Sequence, residues 1–154
     1  MRGSRRDAES RRELDDITGE IVDAAVKLHQ GLGPGLLECV YETVLARALV
    51  RRGLTVECQK RVQFEYDGMQ FEEGFRLDLL VENHVVVELK SVEKLAPVHK
   101  KQVLTYLRLM NLPVGLLLNF GAATLKEGLH RIVNQLPPSA SPRLRVNQPT
   151  EPKP

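Results

Sequence analysis

The chain has 154 residues, of which 42% are hydrophobic, 27% are charged and 5% are aromatic, and its formal net charge is +2. This length and apolar content predict one folded domain with a substantial core. The charged N-terminal segment and the absence of an apolar run of about 20 residues argue against a signal peptide and against a membrane span.

The charge is divided unevenly between the two tails and the domain. Residues 1–14 contain five Arg and three acids, and residues 137–154 contain three basic residues and one acid, whereas residues 15–136 contain 14 basic and 16 acidic residues. We predict a disordered Arg-rich arm over 1–14, a domain over 15–136 and a disordered Pro-rich tail over 137–154. Nucleic-acid binding by this domain would need a local basic surface, a metal or the Arg-rich arm, because its bulk charge is not basic.

The two cysteines, Cys39 and Cys58, have neither metal-ligand spacing nor the density of a secreted disulfide framework. We expect free thiols and a cytoplasmic location.

Periodicity and turn residues predict eight elements along the domain. Asp15 or Asp16 caps the first helix, Gly53 ends the second, and Pro97 begins the third. The first strand is expected to be bent or bulged near residues 59–61. The predicted elements are helices at 15–31 and 36–52, an antiparallel meander of strands at 55–66, 73–81 and 85–91, a helix at 97–111, a strand at 114–120 parallel to the third, and a closing helix at 125–136.

The stretch 74–90 has the pattern of two apolar strands joined by a tight turn, and three of its charged residues, Asp78, Glu88 and Lys90, stand out because they lie inside the apolar runs. Side chains alternate between the two faces of a strand, so Glu88 and Lys90 point the same way. If residues 82–84 form the connecting loop, Asp78 lies directly opposite Glu88, with Cβ atoms about 4.5–5.5 Å apart. The sequence therefore predicts that two carboxylates and an ammonium group converge.

Two adjacent carboxylates repel each other unless they share a proton or bind a cation. Oxygen donors of this kind suit Mg²⁺ or Mn²⁺, and Lys90 beside them can orient water or offset charge on an attacked phosphate. The alternative is a cross-strand salt-bridge cluster on a solvated sheet face. Spacing alone does not separate the two interpretations, because D…ExK strings are common by chance.

The motifs in this chain resemble those of the PD-(D/E)XK nuclease superfamily. Asp78 followed by Glu88-Leu89-Lys90 is similar to the central motif of the superfamily, with Leu77 where the superfamily's name has Pro. Residues 102–106, which read Gln-Val-Leu-Thr-Tyr, resemble the QxxxY element of the RecB-like branch. Residues 35–41 match the motif that names the GxxExxY protein family.

The resemblance extends from about residue 17 to residue 136. It implies an α/β fold with a mixed sheet, namely a restriction-endonuclease-like αβββαβ core with an extra N-terminal helix and a closing C-terminal helix. It also implies a Mg-dependent (or Mn-dependent) nuclease that binds one or two ions and acts on nucleic acid, more specifically DNA. The expected site comprises Asp78, Glu88, Lys90 and Glu38 for catalysis, Asp78, Glu88, the Leu89 carbonyl and Glu38 for the metal, and Gln102, Tyr106 and His99 for the substrate.

Several of these residues have a simpler alternative. Glu38 could complement the helix dipole at the start of its helix. Tyr106 could be an ordinary core residue, Gln102 a surface residue, and His99 a surface residue at a helix start. The whole domain could also be a non-catalytic module of the same fold that binds nucleic acid or a protein partner. A homodimer is compatible with the small size of the domain.

Overall fold

The structure of the chain, a computed structural model, describes residues 4–135 as four helices and one five-stranded sheet. The predicted Pro-rich tail and Leu136 lie outside the described residues. The elements are α1 (Arg5–Leu32), α2 (Glu38–Arg51), β1 (Val56–Tyr66), β2 (Met69–Val81), β3 (Val85–Lys90), α3 (Pro97–Met110), β4 (Val114–Asn119), α4 (Leu125–Gly128) and β5 (Leu129–Val133).

The strands follow one another across the sheet in the order β1-β2-β3-β4-β5. All neighbours are antiparallel except β3 and β4, which are parallel and are connected through α3. The αβββαβ order and the parallel pairing expected for residues 114–120 are therefore confirmed. No helix between residues 4 and 135 is both long enough and apolar enough to cross a lipid bilayer.

The sheet separates two apolar clusters. The α1/α2 core lies on one face and contains residues such as Ile21, Leu45 and Leu79. The α3 core lies on the other face and contains residues such as Val86 and Leu107. Strand β3 is buried on both faces, which explains why its sequence is an almost continuous apolar run in which Glu88 and Lys90 are the exceptions.

The first helix begins earlier than the sequence analysis predicted, at Arg5 instead of Asp15 or Asp16. Ser4 is its N-cap: the Asp7 N–H donates to Ser4 Oγ over 3.2 Å, and the Ser4 N–H donates to Asp7 Oδ2 over 3.0 Å. This reciprocal capping satisfies donors at the helix start. The predicted disordered arm is therefore wrong for residues 5–14, which are helical: residues 5–13 form an exposed extension of α1, and Leu14 packs against the α1/α2 core.

The predicted closing helix is also wrong. A four-residue helix, α4, ends at Gly128, and residues 129–133 then form β5, which pairs antiparallel with β4. Leu129 packs against the α1/α2 core and Ile132 against the α3 core. Pairing with β4 satisfies backbone groups that a helix would have left open on that strand, so the tertiary contact overrides a local pattern compatible with a helix.

Strand β2 does not alternate regularly at Asp78. Regular alternation along a strand would put Leu77 and Leu79 on one face, but Leu77 packs in the α3 core whereas Leu79 packs in the α1/α2 core. Asp78, between them, is missing from the paired residues of both neighbouring strands. The alternation of β2 side chains between the two faces of the sheet therefore shifts by one residue here, which is a phase change at Asp78.

Candidate active site

Asp78 and Glu88 face each other where the pairing between β2 and β3 ends. The last paired residues are Leu79 and Val87. Beyond them, the Asp78 N–H donates to Glu88 Oε1 over 3.1 Å, and the Leu89 N–H donates to Asp78 Oδ2 over 2.9 Å. Each carboxylate thus replaces a backbone acceptor of the opposite strand, and the predicted opposition of the two acids is observed.

The Glu88 carboxyl group is almost completely removed from water. The residue is 4% exposed. Burial raises the pKa of Glu88 to about 9, and the negative charge of Asp78 is the second cause, whereas the Lys90 ammonium acts in the opposite direction. In the absence of a cation, Glu88 therefore retains its proton at neutral pH beside the carboxylate of Asp78.

A further acid is connected to Asp78 through the amide of Gln59. Gln59 Nε2 lies 2.9 and 2.8 Å from the two carboxylate oxygens of Glu42 on α2, and 3.3 Å from Asp78 Oδ1. The backbone of Gln59 has a φ of 51°, a left-handed conformation that is unfavourable for residues with a side chain. Burial raises the pKa of Glu42, the Gln59 amide lowers it, and the charge of Asp78 raises it further.

Glu38 lies one turn before Glu42, at the exposed start of α2. It lines a groove of about 730 Å³ together with residues 34–37 and 91–93. The charge of Glu38 raises the pKa of Glu42, but within residues 4–135 no hydrogen bond connects Glu38 to Asp78 or Glu88. The structure therefore brings Glu42 into the hydrogen-bond network of the site, and the role expected for Glu38 stays a prediction.

Tyr41, the last residue of the GxxExxY motif, organises the loop before α2. Its buried ring stacks on Phe120 with a centroid distance of 4.5 Å. Its hydroxyl donates to the Gly33 carbonyl over 2.6 Å and accepts the Leu36 N–H over 3.1 Å. Ser91 Oγ in turn donates to the Leu36 carbonyl over 2.6 Å. This hydrogen bond connects the loop to the residue that follows β3.

Lys90 ends β3 and lies close enough to Glu88 for its charge to lower the pKa of that carboxyl group. Within the described part of the chain, its ammonium group forms no ion pair. The Lys90 carbonyl accepts the Phe120 N–H on the side of β4. Because successive carbonyls of a strand point in opposite directions, the Leu89 carbonyl faces β2 and the acidic pair.

Helix α3 brings Gln102 and Tyr106 close to the acidic pair, Asp78 and Glu88. Burial raises the pKa of Tyr106, the charges of Glu88 and Asp78 raise it further, and a hydrogen bond from Gln102 lowers it. His99 has a local role at the helix start, where its Nδ1 accepts the Ala96 N–H over 3.1 Å. Contacts of these three side chains with a phosphate stay predictions.

Asp78, Glu88 and the Leu89 carbonyl form an all-oxygen donor set. Among residues 4–135, no three side chains of His, Cys, Asp or Glu are arranged to hold a metal ion. The protein ligands would therefore be two carboxylates and a carbonyl, with water completing the shell, as Mg²⁺ favours. The raised pKa of Glu88 supports this fit, because a cation takes the place of the proton that keeps the two acids from repelling each other.

Glu42 and Gln59 were not among the site residues predicted from the sequence. A signal existed for Glu42, which follows Glu38 by four residues and therefore lies on the same side of the helix. Gln59 falls in the segment 59–61 where a break in the first strand was predicted, but its contact with two acids depends on the packing of α2 over β1. Local sequence does not report such packing.

Comparison with known proteins gives one result. A family model of the PD-(D/E)XK nuclease superfamily matches residues 15–132. Neither the curated proteins nor the solved structures contain a significant match to the chain.

Proposed function

Because the chain belongs to the PD-(D/E)XK nuclease superfamily, we propose that it is a metal-dependent nuclease that hydrolyses phosphodiester bonds of nucleic acid, and specifically of DNA. The observation that supports this most is the pairing of Asp78 with Glu88. A salt-bridge cluster on a solvated face would leave both acids in water, whereas Glu88 is buried and its pKa is raised to about 9. Such a perturbed acid beside a second carboxylate is typical of functional sites.

Asp78, Glu88 and the Leu89 carbonyl would hold Mg²⁺ or Mn²⁺. When bound, such an ion polarises a phosphoryl oxygen and strengthens water as a nucleophile at neutral pH. The protein fixes the two acids before the ion arrives, because each accepts a hydrogen bond from a backbone N–H. This preorganisation reduces the rearrangement needed for binding.

Lys90 would position or activate the attacking water and offset charge that develops on the phosphate. It suits this role because its ammonium group is near Glu88 but is not neutralised by an ion pair among the described residues. Glu38, Gln102, Tyr106 and His99 would contact water, a second ion or the phosphate from the surrounding helices. A homodimer, a protein partner and a cytoplasmic location remain predictions from the sequence.

The test is cleavage of end-labelled single-stranded and double-stranded DNA and RNA in the presence of Mg²⁺ or Mn²⁺. We expect Asp78→Asn and Lys90→Ala each to lower the rate about 1,000-fold, in the range found for loss of one group that stabilises a transition state. Asp78→Asn keeps an oxygen acceptor for the Leu89 N–H, so the fold should remain intact. Asp16→Ala and Lys126→Ala are matched controls on exposed positions and should retain full activity.

The non-catalytic alternative makes the opposite prediction. Folded protein that cleaves none of these substrates and does not bind Mn²⁺ in calorimetry would exclude the nuclease proposal. Unfolding of Asp78→Asn would instead indicate that the acidic pair is structural.

A further inference from the structure

One face of the β1–β2 hairpin carries a row of aromatic rings that begins at the candidate site. Tyr106 of α3 stacks on Phe75, with ring centroids 4.4 Å apart and an interplanar angle of 9°. Phe75 lies 6.2 Å from Phe64, and Phe64 stacks on Phe71 at 5.0 Å. The row contains three of the four phenylalanines of the chain, so aromatic side chains are concentrated here.

The row continues the α3 core outward into solvent. Val62, at its inner end, is fully buried, whereas Phe71 is 40% exposed. The next cross-strand pair on the same face toward the hairpin tip is Tyr66 and Met69, which are 69% and 54% exposed. An exposed apolar strip of this kind, continuous with a functional site, is typical of a binding surface.

A bulge in the hairpin keeps acidic side chains away from this strip. The register shifts between Val62 and Phe64, and in the extra residues Glu72 accepts a hydrogen bond from Gln63 while Glu73 pairs with Arg61 at 2.8 Å. Gln63 and Arg61 alternate with Val62 and therefore lie on the opposite face. Both glutamates are thus drawn to the polar side of the hairpin.

Gly74 allows the Phe64 ring to stay in the row. A Cβ atom at this position would lie 2.0 Å from Cε1 of Phe64. Any other residue at position 74 would have to displace the ring.

The helix beside the row is basic. Between Pro97 and Met110, α3 contains Lys100, Lys101 and Arg108 and no acidic residue. All three basic side chains are exposed, and none forms an ion pair within the part of the chain that the structure describes. The α3 side of the sheet therefore combines uncompensated positive charge with exposed rings.

We propose that this surface binds single-stranded nucleic acid, with unpaired bases stacked on Phe71 and Tyr66 and the phosphates near Lys101 and Arg108 of α3. The proposal rests on the proposed nuclease function, whose substrate class it narrows. Aromatic rings bind single strands because every unpaired base presents a face for stacking, whereas a duplex hides its faces. A strand bound along the row is directed past Phe75 and Tyr106 to the acidic pair.

A second copy of the chain is the competing occupant of this surface. A symmetric contact that included α3 would place its uncompensated basic residues close to the same residues of the second copy. Charge complementarity therefore favours a polyanion over a second copy.

The test measures binding to fluorescein-labelled 12-nucleotide oligo-dT and oligo-U and to a duplex of the same length, by fluorescence polarisation with the full chain and a chelator, so that cleavage does not interfere. We expect both single strands to bind more tightly than the duplex. Tyr66→Ala and Phe71→Ala should each weaken single-strand binding about tenfold, as expected for loss of one stacking ring. Tyr66→Trp and Phe71→Trp should retain the affinity of the unsubstituted chain.

Val50→Ala is the matched control, because Val50 is an exposed apolar residue at the far end of α2. Tyr66 is the most exposed ring of the row, so its truncation tests stacking without loss of core packing. Unchanged single-strand affinity in Tyr66→Ala and Phe71→Ala, or tighter binding of the duplex, would overturn the proposal. A dimer in light scattering that Tyr66→Ala converts to a monomer would assign the surface to a second copy.

Failure of this proposal can be distinguished from failure of the nuclease function. Cleavage that requires Asp78 but is insensitive to the ring variants would retain the nuclease and reject the stacking surface. Ring-dependent single-strand binding without any cleavage would retain the surface and reject the nuclease. If both proposals hold, the ring variants raise KM for single-stranded substrate and leave kcat unchanged.

Discussion

Glu88 is held in surroundings that favour its neutral form, and this has a consequence for stability. Its pKa rises from the ordinary value of 4.5 to about 9, chiefly because the carboxyl group is buried. Between these two values the folded chain binds the proton and the unfolded chain does not. The free energy of unfolding therefore falls as the pH rises through this window.

Glu88→Gln should remove this pH dependence, because an amide has the shape of a protonated carboxyl group and does not ionise. In urea unfolding with a chelator, we expect the unsubstituted chain to lose stability from pH 6 to pH 9 and the variant to lose much less. Glu65→Gln, at an exposed position, should retain the original slope. The same slope in Glu88→Gln as in the unsubstituted chain would show that burial does not perturb this acid.

At the scale of elements, the sequence predicts best those segments whose side chains follow a single periodicity. Helix α3 begins at Pro97 as expected, and β3 and β4 lie within one residue of their predicted bounds. Residues 129–133 were wrongly predicted to be helical because their apolar pattern fits a helix. In the structure, the open side of β4 provides a strand partner for them. Pairing of this kind is a tertiary property.

The candidate site was predictable to a similar extent. The opposition of Asp78 and Glu88 followed from strand alternation and the length of one turn, both of which are local. The phase change at Asp78 and the contact of Gln59 with Glu42 were not predictable, because they arise where β1, β2 and α2 meet. Local patterns therefore located the acidic pair but not Gln59 and Glu42, which are connected to Asp78 by hydrogen bonds.

The extension of α1 gives a prediction for a single element. Ser4→Ala removes the side-chain acceptor for the Asp7 N–H, and loss of such a cap costs about 1 kcal/mol. Since residues 5–13 are exposed, we expect this cost to appear as local fraying. Hydrogen exchange at residues 7–12 should accelerate about fivefold, which is that free energy converted to an opening constant.

The midpoint of global unfolding should not change in Ser4→Ala. A lower midpoint would mean that the extension packs against the domain. Ser4→Asp, which keeps a capping acceptor, should restore slow exchange.

For the whole molecule, the proposed metal site would link cation binding to folding through the acidic pair. A cation that binds only the folded chain stabilises it by about 2.7 kcal/mol at 100 times its Kd. Binding at the proposed site would also displace the proton of Glu88, so the affinity for the cation would rise with pH until this carboxyl group is ionised. The stabilisation should therefore be larger at pH 8 than at pH 6.

Calorimetric unfolding with and without Mn²⁺ at these two pH values tests this linkage. We expect Mn²⁺ to raise the melting temperature at both pH values, with the larger rise at pH 8. Asp78→Asn should abolish the rise, whereas Asp16→Ala should leave it intact. An equal rise at both pH values would show that the ion does not compete with a proton at Glu88.

The phase change of β2 couples the acidic pair to the packing on both faces of the sheet. Leu77 belongs to the α3 core and Leu79 to the α1/α2 core, so the packing on both faces of the sheet positions the backbone at Asp78. We expect a shift in the packing of either core to change the separation of the Asp78 and Glu88 carboxyl groups. A substitution that loosens either core should therefore change the pKa of Glu88 before the fold is lost. The pKa of this single carboxyl group would then report on the packing at both faces of the sheet.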